Sequence, residues 1–124
     1  MSNSSKIFET SLNALAEKVC IPQKPDSPKL NLSEIEQLIT CMPNWTFNSQ
    51  PFISREYKLS NYQQTVDLVN TIAKIADLND HHPEVSFTYN TCKIRYSTHA
   101  NNGITENDFI CAAQIEQAFR KVIQ

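Results

Sequence analysis

The sequence predicts an α+β domain, a single four-stranded antiparallel sheet with helices packed on one face, in the order helix-β-β-helix-β-β-helix. Two observations carry this. Two pairs of short runs have strand character, Trp45 to Phe47 with Phe52 to Leu59 and Val85 to Tyr89 with Cys92 to Tyr96, and each pair closes on a brief polar turn. Before, between and after these pairs lie segments with apolar residues at helical spacing, each opening on a capping signal.

Taken in order, Ser5 to Val19 places Phe8, Leu12, Leu15 and Val19 at helical spacing, so a short amphipathic helix is expected. Pro22, Pro25 and Pro28 punctuate a stretch that holds no helix, which makes residues 1–29 an expected N-terminal helical appendage with a stiff proline-containing linker. The domain proper is expected over 30–124. Asn31 or Ser33 can cap its first helix, each with a glutamate three residues on (Glu34, Glu36); Ile35, Leu38 and Ile39 supply the buried side, and Pro43 ends it. Trp45 to Phe47 and Phe52 to Leu59 then read as a hairpin around Asn48-Ser49-Gln50. In its second strand Ile53, Arg55, Tyr57 and Leu59 share one face, which leaves Arg55 as an ion pair at the sheet margin or as a substrate contact. Ser60 to Gln63 reads as a capping box opening a helix with Tyr62, Val66, Val69, Ala73 and Ala76 in one stripe. Pro83 pushes His82 out of the helical region, so that helix stops by Asp80. Val85, Phe87 and Tyr89, then Cys92, Ile94 and Tyr96, alternate with polar residues and give two half-buried strands around Asn90-Thr91. Thr105 with Asp108 caps a last helix whose stripe is Cys111, Ile115, Ala118 and Val122. Ile110, Ala113 and Phe119 widen its apolar surface, a surplus that predicts a homodimer or homotetramer.

Composition narrows the function classes. A chain of 124 residues is one domain by size, long enough to bury roughly 65% of its unfolded surface without staples. With a net charge of −2 and scattered Lys and Arg, it has no basic footprint for direct nucleic-acid binding. No apolar run reaches the roughly 18 to 20 residues of a membrane span, and Met1 to Lys6 lacks the basic-then-apolar order of a secretion signal. Glu9 and Glu17, with no arginine before Arg55, also argue against an organellar transit peptide, so a soluble cytoplasmic protein is expected. Cys20, Cys41, Cys92 and Cys111 form no CxxC pair and read as packed, reduced thiols.

The chemistry is concentrated at His81-His82-Pro83-Glu84, Ser97-Thr98-His99 and Gly103 to Asp108, which together hold all three histidines and the only glycine. Imidazoles are the side chains best suited to moving protons near neutral pH. Each site residue also has a plainer reading. His81 or His82 would complement the dipole at a helix C-terminus, Asp108 would serve only as half of a capping box, and Thr98, with the parity of Ile94 and Tyr96, would be structural. Zinc is disfavoured: His81 and His82 are neighbours entering an extended segment, and no HxH or HxxxH spacing is present.

On these residues the chain resembles the pterin-4a-carbinolamine dehydratases, also known as the dimerization cofactor of a homeodomain transcription factor. The matching pattern is Asn79-Asp80-His81-His82-Pro83-Glu84, Tyr89-Asn90, Ser97-Thr98-His99, Gly103-Ile104-Thr105 and Asp108, with Trp45, Ile53, Arg55 and Tyr57 upstream. The similarity runs from about Leu32 to Val122, and Val85 departs from it where many relatives place tryptophan. What the resemblance implies is dehydration of 4a-hydroxytetrahydrobiopterin to quinonoid dihydropterin, in pterin recycling for aromatic amino-acid hydroxylases, with no cofactor and no metal. It implies a catalytic set of His81, His82 and His99, with Pro83, Ser97 and Thr98 lining the site and Asp108 orienting a histidine or the substrate. The alternative it leaves is a non-catalytic oligomerising partner or coactivator of a transcription factor.

Overall fold

Alternation along one strand decides how the sheet sits. In Thr91–Tyr96 (β3) the side chains of Cys92, Ile94 and Tyr96 are fully buried while Lys93 and Arg95 are exposed. The computed structural model describes residues 12–123. Its elements are a helical segment at 12–16 (α1), then α2 (Leu32–Ile39), β1 (Ile53–Lys58), α3 (Tyr62–Asn79), β2 (Glu84–Phe87), β3, a 3-10 turn (His99–Asn101) and α4 (Glu106–Val122). No helix among the described residues is long and apolar enough to cross a membrane.

The sheet is antiparallel in the order β1-β3-β2. Ile94 stands opposite Arg55 on one side and Val85 on the other, so the buried residues of β3 fall in line with Ile53 and Tyr57. Ile72 and Leu68 of α3, with Phe109 and Ile115 of α4, complete the core against that face. The sheet thus has three strands, where four were expected. Of the expected first strand only Thr46 pairs, through two backbone hydrogen bonds to Ser54 of 2.8 and 3.0 Å. Two features stop the ladder: Pro51 brings no N–H to it, and Ser49 turns the chain with φ 62°. Trp45 is committed to the core, where its indole donates to Glu116.

Helix ends follow local chemistry. Asn31 and Glu34 form the reciprocal capping box of α2. At α3 the cap is Asn61, which accepts from the Gln64 N–H, one residue later than the sequence reading. The buried stripe is accordingly Thr65, Leu68, Ile72 and Ala76, while Tyr62 and Ala73 face water. Thr65 earns its buried place by donating to the carbonyl of Tyr89 or of Asn61, which a reading of apolar spacing overlooks. Val85 is half-buried and Phe87 and Tyr89 are exposed, because β2 is an edge strand and stops at Phe87.

The segment before residue 30, expected as an appendage, is docked along α4. Leu12, Leu15 and Ala16 enter the core; Gln114 donates to the Ala16 carbonyl and Gln117 to the Asn13 side chain. Asn107 clasps Ile21 twice, accepting from its N–H at 3.0 Å and donating to its carbonyl at 2.7 Å. Phe8 lies outside the described residues, and Val19 is exposed because the helix has already ended. The apolar surplus of α4 is covered within the chain: Ile110 is buried, and the Phe119 ring packs 4.5 Å from that of Tyr57.

Candidate active site

Two chain reversals and the start of a helix position the predicted residues. At the end of α3, Asp80 adopts a left-handed conformation (φ 49°, ψ 45°), which short polar side chains tolerate. The His81 N–H then bonds back to the Ala76 carbonyl at 3.0 Å, fixing where the histidine pair starts. Beyond β3, Thr98 and Gly103 pair through hydrogen bonds of 2.7 and 3.3 Å and close a small loop that carries His99. The Lys29 side chain lies directly over Gly103, where a Cβ would fall 2.5 Å from its Cδ, so a larger residue there would displace this exposed lysine. The first turn of α4 then brings Asp108 beneath both.

These reversals border a cavity of about 340 Å³. Of the candidate residues named from the sequence, His81, His82, Ser97, Thr98 and His99 line it, and Pro83 and Asp108 do not. Asp108 is fully buried behind the cavity wall. One carboxylate oxygen meets His81 Nε2 at 2.6 Å, and the other accepts from the Thr98 hydroxyl at 3.0 Å and the Thr105 N–H at 2.9 Å. The Thr98 and Thr105 hydroxyls are themselves 2.8 Å apart, so Thr98 has the structural partners of its plainer reading while also lining the cavity.

The His81 ring is fixed from three sides. Its side chain is 11% exposed, it stacks on Tyr96 at 5.3 Å and 7°, and the Tyr96 hydroxyl donates to the His81 carbonyl at 2.9 Å. With Nε2 engaged by Asp108, Nδ1 is the ring nitrogen left for a ligand. Burial, above all, raises the Tyr96 hydroxyl far above its ordinary range, so it serves as a fixed donor. His82 is held more loosely, with Nε2 2.9 Å from Asp77 in an exposed pair. His99 is exposed at the start of its 3-10 turn. Among the described residues no group of three or more His, Cys, Asp or Glu is arranged to hold a metal ion.

One wall was not legible from the sequence. Cys20, Ile21, Pro22 and Gln23 form it, latched by Asn107, and a proline-rich stretch without periodicity gives no sign of its docking partner. Asn79 and Asp80 also border the cavity; both belong to the motif around the paired histidines. Arg55, the other residue with two readings, lies elsewhere: its Nε is 2.8 Å from Glu116, an ion pair at the sheet margin.

Fold and cavity together define a small α+β protein with an open, imidazole-lined cavity. The chain belongs to the pterin-4α-carbinolamine dehydratase family, whose model matches residues 28–118. Relatives named for that dehydratase include one from Nitrosospira multiformis, 40% identical over 113 residues and covering 91% of this chain and 99% of the relative. One from Chromobacterium violaceum is 39% identical over 107 residues, covering 86% and 97%. In fold, the chain is similar to a Brucella melitensis protein described as a transcriptional coactivator/pterin dehydratase, with a TM-score of 0.68, 24% identity, and coverage of 78% of this chain and 100% of that one.

Proposed function

We propose that the cavity dehydrates 4a-hydroxytetrahydrobiopterin to quinonoid dihydropterin by histidine acid-base catalysis, as part of pterin recycling for aromatic amino-acid hydroxylases. The observation that carries this reading is the pairing of His81 with buried Asp108 on the wall of a cavity that His82 and His99 also line. The reaction is an elimination. The bond between C4a and the hydroxyl breaks, an imidazolium gives the departing oxygen a proton so that it leaves as water, and a neutral imidazole takes the proton from the adjacent ring nitrogen. The electron pair of that N–H bond becomes the new C=N bond. Each positioned acid or base is typically worth about 10²- to 10⁴-fold, so two imidazoles suffice for a substrate that already loses water slowly in solution.

Asp108 acts on His81 rather than on the pterin in this reading, because it is fully buried and its oxygens are occupied by His81, Thr98 and Thr105. Ser97 and Thr98 line the bound ring, and Pro83 sets the corner from which His82 projects. The four cysteines are free thiols, which suits a reducing cytoplasm. Assembly as a homodimer or tetramer finds its support in β2: among the described residues it pairs only with β3, and it carries exposed Phe87 beside its free edge.

The test is to mix the purified protein with freshly generated carbinolamine and follow quinonoid formation with and without a chelator. Acceleration indifferent to the chelator is expected. Activity that vanishes with the chelator and returns with zinc contradicts the proton-transfer mechanism, and no acceleration at all favours the non-catalytic alternative.

A further inference from the structure

The wall of the cavity that lies outside the family match holds a nucleophile in contact with a second one. Cys20 Sγ is 3.7 Å from Cys111 Sγ, across 91 residues of chain, and 3.8 Å from the Asn107 carbonyl oxygen. Cys20 borders the cavity from the docked N-terminal segment, whereas Cys111 is fully buried in α4. Among the described residues this is the one cysteine pair whose sulfurs meet; Cys41 and Cys92 have no such partner.

We propose that Cys20 and Cys111 form a peroxide-sensitive dithiol, with Cys20 the site of oxidation and Cys111 the resolving thiol, and that their disulfide ties the 20–23 wall to α4. In the first step the Cys20 thiolate attacks the terminal oxygen of a hydroperoxide: an S–O bond forms, the O–O bond breaks, and hydroxide or alkoxide leaves, taking up the proton the thiol gave up to become water or an alcohol. Sulfur is oxidised to a sulfenic acid and the peroxide is reduced. In the second step the Cys111 sulfur attacks the Cys20 sulfur, the S–O bond breaks, and hydroxide leaves as water with the proton lost by Cys111. The sulfurs must close by about 1.7 Å to reach a bond of about 2.05 Å. The segment carrying Cys20 has no regular structure to resist that movement, since α1 ends at residue 16 and the next helix starts at Leu32.

Access and electrostatics both assign the first step to Cys20. It faces the cavity, and the hydrogen bond from the Cys111 thiol holds its pKa below the ordinary thiol value, burial opposing this and His81 adding to it. Cys111 is raised far above the ordinary range, first by that same hydrogen bond and then by burial. Oxidation of Cys20 removes the leading cause, while burial continues to oppose ionisation of Cys111. Burial pushes the Cys92 thiol up to about 11.

The experiment treats reduced full-length protein with hydrogen peroxide and maps tryptic peptides without reduction; it reads chemistry at the sulfurs and is independent of the dehydratase reading. The expected product links the peptides 19–29 and 96–120, loses two of the four free thiols, and reverts with dithiothreitol. Cys111→Ser should abolish the link and leave a dimedone-trappable sulfenic acid at Cys20. Cys20→Ser should leave Cys111 reduced. Oxidation that falls on Cys41 or Cys92 instead, no linked peptide in the unaltered protein, or unchanged oxidation of Cys111 in Cys20→Ser would each overturn the assignment.

Discussion

Asp108 and Glu116 occupy the same helix, eight residues and about 12 Å apart at about 1.5 Å rise per residue, and they do different things with one chemical device. Each is a buried carboxylate with three donors. Glu116 gathers the Trp45 indole at 2.9 Å, the Arg55 guanidinium at 2.8 Å and the Tyr57 hydroxyl at 2.7 Å on a single oxygen. Its cation is permanent, and Arg55 is closed over by the Tyr57 ring, 4.0 Å from the centroid. Asp108 instead has an imidazole as its ionisable partner, and that residue lines a cavity. A carboxylate held by arginine is a fixed joint between α4 and β1. A carboxylate held by histidine sets the orientation and tautomer of a group that still exchanges protons.

The largest effect that would break this comparison lies at the closed joint. Glu116→Ala leaves the half-buried Arg55 and the buried Trp45 and Tyr57 donors without their acceptor and should cost up to about 3–5 kcal/mol of stability in urea titration, with turnover per folded molecule within about twofold of the unaltered protein. A cost below about 1 kcal/mol would put it among ordinary surface changes. Next comes Asp108→Asn, which should lower turnover roughly 100-fold by misdirecting His81 and cost about 1.5–3 kcal/mol through lost charge-assisted hydrogen bonds. Steady-state kinetics and a melting curve on the same sample check both. His82→Ala and His99→Ala should each lower turnover by about 10-fold or more, with thermal stability changed by less than about 0.5 kcal/mol because both side chains are exposed. Several degrees lost with normal turnover would make these histidines structural. Trp45→Phe should have the smallest effect, about 1 kcal/mol for one of three donors to Glu116 and no change in turnover.

The cavity was more legible in the sequence than the strands around it, for physical reasons. A histidine pair ended by proline and a third histidine before a glycine-containing loop announce their chemistry through residue type, and a capping pattern placed Asp108 three residues after Thr105. What spacing did not show was the direction of Asp108, because a capping carboxylate and an orienting one look alike in sequence; here one side chain does both. Residue type alone did not show that His81, unlike His82 and His99, is largely buried and stacked on Tyr96, so His81→Ala should cost stability as well as turnover. The fourth strand failed for a different reason. Trp45 to Phe47 has strand propensity, yet core burial of Trp45 and the prolyl turn limit pairing to Thr46. The docking of Ile21 to Asn107 is a long-range polar contact between segments of different pattern, invisible to any local period.

The central claim, that the cavity histidines move the protons, is tested most directly by one measurement. The triple variant His81→Ala/His82→Ala/His99→Ala, shown folded by circular dichroism, is compared with the unaltered protein for the rate of quinonoid formation from freshly generated carbinolamine. The account predicts clear acceleration by the unaltered protein and a rate no faster than the uncatalysed reaction for the variant. A folded triple variant that keeps the unaltered turnover would contradict it.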